Sequence, residues 1–243
     1  MTPTHVVVLG WEADRTADER DAANESVRAT LEAGDAVRVV LQDEDGLRAD
    51  HPDAFDRFRT EFTSPGSESA RRQYRGNLPD CAPALDALLD LKTWHRFVTL
   101  DTLVVERAGE TVLRYVPDHS DMVIWGESVA EHVAGALAGH PAAVLPADRI
   151  EWGDETTTVA LDPPSLCVGN ACFSLSHLEG ATIDHETDEL VLKWPESRGL
   201  LGKALDSLGP DRPTRLALPP DDPSREHVET VVDRLGVLLS DGP

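Results

Sequence analysis

Lysine is nearly missing from this sequence: Lys92, Lys193 and Lys203 stand against 19 arginines. Long apolar runs are missing as well. No stretch of about 18 apolar residues occurs, which excludes a membrane-spanning helix of ordinary length. Residues 1–10 carry neither a charged start nor a long apolar core, so no signal peptide is expected and the expected location is cytoplasmic. Three cysteines are too few for a disulfide framework. The common nucleotide, dinucleotide, zinc-protease, hydrolase and CxxC motifs do not occur, and no cofactor is expected. The loop after the first apolar run reads GWEADRTADER. Its acids would repel a phosphate, which argues against a nucleotide at the following helix N-terminus.

What the chain has is acid. Asp (26) and Glu (19) give a formal net charge of −23 over 243 residues. At ordinary ionic strength such an excess destabilises the compact state by self-repulsion. At about 1 M salt the Debye length is roughly 3 Å, and the repulsion is nearly abolished. Acid excess, Arg in place of Lys, and small apolar residues together resemble the composition of proteins from halophilic archaea. The acids are spread along the chain, and 40% of residues are apolar, enough for a core. Counterion release needs a basic surface, so neither nucleic acid nor an anionic membrane is expected as a partner.

The pattern of elements predicts an α+β protein. Residues 5–10 (HVVVLG) form a buried strand. Thr16 and Glu19 make a capping box before a helix bearing Ala23, Val27 and Leu31. Residues 37–41 form a second strand, and this order is that of a parallel βαβ unit. A short helix covers 54–62, loop composition covers 63–79, and a helix starts at Asp80 and Pro83. From Phe97 the pattern turns to β, with a hairpin over 97–116 and a short strand at 122–125. Ser128 and Glu131 suggest a second capping box. Further hairpins follow at 165–175 and 181–194, with a short helix after Ser197 and a strand at 214–218. Last comes a helix with Asp222 as N-cap, Pro223 at its first position, and a stripe of Val228, Val231, Val232, Leu235, Leu238 and Leu239. That stripe is expected on the sheet holding Leu190, Leu192 and Trp194. The division this suggests is 1–95, an α/β part with an arginine-bearing loop, and 96–243, a β-rich part with the amphipathic helix.

The run LCVGNACFSLSHLEGATIDHETDELVLKW, followed by the helix over 223–239, resembles the small PH-like domains of prokaryotes. The resemblance implies a curved antiparallel sheet capped by one C-terminal helix, and a binding or scaffolding role.

Four places have the residues for chemistry. Arg71, Arg72 and Arg75, with Tyr74, form a basic cluster in the loop; guanidinium reads carboxylate and phosphate through paired N–H groups. Their competing role is to pair with nearby acids such as Glu61, Glu68 and Asp80. Trp11 follows the first strand, where a parallel sheet would place a ligand. Asp118, His119 and Asp121 are a possible metal set or a plain turn. Cys167, Cys172, His177 and His185 lie close together. A two-residue turn at Gly169-Asn170 would set the two cysteines opposite each other, as small apolar fillers, a reversible disulfide, or half of a zinc site. The overall expectation is a non-catalytic protein acting through contacts with a protein partner. The alternative is an enzyme or binding protein for a small anion held by Arg71, Arg72, Arg75 and Trp11.

Overall fold

In a computed structural model the chain is described over residues 2–10, 16–64, 72–153, 157–195 and 210–239. Strand β1 (His5–Leu9) is buried at every position, and it is apolar on both faces because two cores meet across it. Val7 and Leu9 enter the first core, Val6 and Val8 the second.

The sheet around β1 has seven strands. Besides β1 it contains β2 (Ala36–Leu41), β3 (Arg72–Asn77), β4 (Leu100–Arg107), β5 (Glu110–Val116), β6 (Asp121–Ile124) and β7 (Ala142–Pro146). Their order is β3-β2-β4-β5-β6-β1-β7, and every neighbouring pair is antiparallel. Helix α1 (Thr16–Leu31) does join β1 to β2. Four antiparallel steps separate those strands, so they point the same way, but β4, β5 and β6 lie between them. The parallel βαβ expectation is corrected to that extent: the hairpin strands take the places beside β1 and β2. Pairing of β2 with β4, and of β1 with β6 and β7, also places the 95/96 division inside one sheet.

One face of this sheet carries the first core. It is packed by α1, α2 (Glu44–Asp50), α3 (Pro52–Glu61), α4 (Ala82–Leu89), α5 (Thr93–Thr99) and α6 (Glu127–Ala136). Phe58 stacks on Phe62 at 4.5 Å and meets Tyr74 edge-on at 4.9 Å, which ties α3 to β3. Gly76 lets β3 approach α4: a Cβ there would lie 2.6 Å from the Cβ of Cys81.

The second core lies on the opposite face, under β1, β6 and β7 only. Covering it are a four-stranded sheet, β8 (Ile150–Gly153) to β11 (Ala171–Ser174) with β9 (Thr158–Asp162) and β10 (Ser165–Val168), and a three-stranded sheet. The latter contains β12 (Gly180–Asp184), β13 (Glu189–Lys193) and β14 (Arg215–Ala217). Helix α7 (Asp222–Leu239) closes it, with Val228, Val231 and Leu235 in the same cluster as Leu190 and Leu192. The indole N–H of Trp152 donates to the carbonyl of Ala217 at 2.7 Å, linking the two small sheets, and that of Trp194 donates to the carbonyl of Pro213 at 2.6 Å, tying the end of β13 to the start of β14.

The fold is α+β with a C-terminal helix, as the sequence pattern predicts. Several details differ. The strands after β7 form two antiparallel meanders instead of one curved sheet. The stretch read as loop contains β3, and residues 97–99 are the end of α5 rather than a strand. Ser128 does not cap α6, which begins at Glu127 after Gly126. At α7 it is Asp221 whose carboxylate accepts from a backbone N–H, that of Ser224 at 3.0 Å, one residue before the expected cap. The Thr16/Glu19 cap and the helix after Ser197 lie outside what is described.

Candidate functional site

Strand β3 presents Arg72 and Arg75 on opposite sides of the sheet, because side chains alternate along a strand. Arg72 turns toward the helices. Its Nη1 lies 2.7 Å from Oε2 of Glu44, which also accepts from the hydroxyl of Tyr74, while Oε1 accepts from Nη2 of Arg48 at 3.2 Å. Burial pushes the Glu44 pKa up, but hydrogen bonds from Tyr74 and Arg72 outweigh it and hold the carboxyl below its ordinary 4.5. Burial and that same bond raise the pKa of Tyr74. The partner of Arg72 is thus an acid of α2, distant in sequence from the acids beside the arginine cluster. Arg71 and Trp11 lie outside the described residues.

Arg75 belongs to a different set. In register across the sheet it pairs with Arg38, Arg38 with Val104, Val104 with Arg114, and Arg114 with Val123. Three arginines from β3, β2 and β5 therefore stand in one row on one face. Farther along, the row continues through Val123, Val6 and Leu145 into the second core. No residue of β2 to β5 belongs to that core, and the arginine side chains are 38%, 49% and 46% exposed for Arg38, Arg75 and Arg114. Val104, between Arg38 and Arg114, is buried; arginine stems cover apolar neighbours in this way. Two carboxylates accompany the row. Glu106 meets Nε of Arg38 at 3.2 Å and Nη1 of Arg75 at 2.6 Å, and Asp121 meets Nη2 of Arg114 at 2.7 Å. Among the described residues three guanidiniums share two carboxylates, a local positive excess there on a chain of net charge −23. Sequence reading found Arg75 but not Arg38 or Arg114, since only strand register brings them together.

Asp118, His119 and Asp121 surround a 3-10 turn, Pro117–His119, ended by Ser120 at φ 49°. His119 Nε2 is 3.7 Å from Asp118, and Asp121 is engaged by Arg114. Among the described residues no group of three His, Cys, Asp or Glu side chains is placed to hold a metal. Cys167 and Cys172 are register partners across the Gly169-Asn170 turn, and they are joined by a disulfide. With both sulfurs bonded to each other they are not zinc ligands in this form.

A second feature lies at the free edge of β7, between α6 and α7. A cavity of about 210 Å³ is lined by His5, Glu127, Glu131 and Arg234, with apolar walls that include Ala130 and Leu137. The one sequence signal for it is a histidine opening an otherwise apolar strand, HVVVL.

Burial holds His5, His177 and His227 neutral, each with its pKa below the ordinary 6.5. Below pH 6.5 the unfolded chain binds protons that the native histidines refuse. Their contribution to stability is complete above about pH 6.5 and is lost as pH falls through their lowered native values. The denaturation midpoint is expected to fall between pH 7.5 and 5.5. Glu44 acts only below 4.5 and does not contribute in that window. Replacing the three histidines by Gln should flatten the slope; an unchanged slope would contradict the assignment.

No known family, curated protein or solved structure matches the chain.

Proposed function

We propose that the protein is non-catalytic and works by docking an acidic helix of a partner protein on the arginine-bearing half of the seven-stranded sheet, which no described element covers. The observation that carries this reading is the in-register row of Arg75, Arg38 and Arg114. Strands lie about 4.8 Å apart, so the three arginines stand at roughly 0, 5 and 14 Å along the row. A helix rises 1.5 Å per residue. Acids at positions i, i+3 and i+10 of a helix fall at matching heights within about 80° of one face, given 3.6 residues per turn. Arginine suits such contacts at high salt, because its paired N–H groups act at contact distance, inside the Debye length. The opposite orientation of Arg72 and Arg75 counts against the alternative, a small anion held by both.

The test is fluorescence anisotropy with a designed helical peptide carrying acids at i, i+3 and i+10, in molar KCl. The peptide is expected to bind, and to weaken about tenfold with Arg38→Gln or Arg114→Gln, the loss of one charge-assisted contact. Arg149→Gln, just before β8 of the four-stranded sheet, should leave binding intact. Equal affinity for a peptide with the acids shuffled would contradict the proposal, and so would no binding.

A further inference from the structure

The cavity beside β7 is built around a buried histidine, His5. The Thr4 hydroxyl donates its single proton to the carbonyl of Ile124 at 3.2 Å, and its oxygen accepts from the N–H of Gly126 at 3.0 Å. With the hydroxyl proton on that carbonyl, Nδ1 of His5, 3.1 Å from the same oxygen, is the donor of their hydrogen bond. Nε2 then carries a lone pair. It lies 3.6 Å from Oε1 of Glu127, another acceptor, and His5 is only 4% exposed. Nε2 of the buried imidazole and Oε1 of the solvent-exposed Glu127 are too far apart to bond directly, which leaves a place for a donor between them.

The rest of the lining defines what that donor belongs to. Glu131, one turn along α6 from Glu127, adds a second carboxylate at the mouth. Across the cavity stands Arg234 of α7. Its Nη1 donates to the carbonyl of Val144, on the open edge of β7, at 3.0 Å. A guanidinium has five N–H donors, so this bond fixes the group and leaves others for a ligand. A bare ammonium ion would be repelled by Arg234, and a bare carboxylate by Glu127 and Glu131. A molecule with both charges satisfies both ends. About 210 Å³ is below the roughly 300–1,000 Å³ of drug-sized sites, which sets a small ligand.

The geometry points to a binding site for a small amino acid, its ammonium group between His5, Glu127 and Glu131 and its carboxylate on Arg234. This site is separate from the arginine row and does not depend on it.

Saturation-transfer NMR on the full chain tests it, with L-alanine, γ-aminobutyrate, n-butylamine and butyrate as probes. At least one of the two amino acids is expected to bind saturably, in the range up to about 10 mM, and neither monofunctional probe to match it. Glu131→Gln, at the exposed mouth, and Arg234→Gln are each expected to weaken that binding about tenfold. Glu131→Gln removes no hydrogen bond or ion pair among the described residues, so it keeps the test sound if Arg234→Gln fails to fold. The proposal is overturned if neither amino acid saturates, if n-butylamine or butyrate binds as tightly, or if Glu131→Gln leaves the affinity unchanged.

Discussion

Leu235→Ala is expected to destabilise the protein by about 2–5 kcal/mol, the usual range for truncating a buried leucine. Leu235 is 1% exposed and belongs to the second core with Val228, Val231, Leu190 and Leu192. That core is where α7, the two small sheets and β1 meet, so the cavity is surrounded by elements that cannot all shift to fill it. At roughly 2–4 °C per kcal/mol for a chain of this size, melting should fall by about 4–20 °C. Arg225 provides the control on the polar side of the same helix. It pairs with Asp188 at 2.7 Å and Glu229 at 3.3 Å, both surface contacts, and such pairs contribute little. Arg225→Ala should melt close to wild type. A wild-type midpoint for Leu235→Ala would mean that α7 does not hold the second core.

Salt is expected to act at least as strongly. Between about 0.1 M and 3 M KCl the melting temperature should rise by about 10–20 °C, from the screening of repulsion among surplus carboxylates. Screening also weakens attraction, so the two effects must be weighed. The ion pairs that secure the surface sit at contact, as for Arg28–Asp86 at 2.9 Å and Arg149–Asp162 at 3.0 Å. That is about one Debye length at 1 M, whereas repulsion summed over a net charge of −23 acts over longer distances. Repulsion is therefore lost first. Equal or lower melting in 3 M KCl would contradict the reading of the composition.

Which elements were legible in the sequence follows from how local their signals are. The stripe of α7 places Val228, Val231 and Leu235 inward, because helical period is set within a few turns. The opposition of Cys167 and Cys172 follows from the two-residue turn between them, Gly169 having φ 58°. Strand β3 was not legible. Only Tyr74 and Gly76 of its RQYRGN are buried, as suits a polar edge strand, and its composition is that of a loop. The separation of β1 from β2 was hidden for another reason. A strand–helix–strand order fixes direction, but it does not forbid a later meander from taking the places between.

The candidate sites show the same limit more sharply. Arg38, Arg75 and Arg114 come from three strands, and no short window of sequence holds them together. The amino-acid cavity draws on β1, α6 and α7, from residue 5 to residue 234. Arg72, by contrast, was visible as a residue, but its partner Glu44 was not.

The proposed docking face is the half of the seven-stranded sheet that no described element covers. Its most direct test is a photo-crosslinking residue at Gln73, two residues from Arg75 on the same face of β3 and opposite Val40, exposed to light in native cells at their own salt concentration. Glu151, on the outer face of the four-stranded sheet, is the control position. One adduct of defined mass is expected from position 73, absent from position 151 and lost when Arg38→Gln and Arg114→Gln are combined. No adduct from position 73, or the same adduct from both positions, would contradict the proposal.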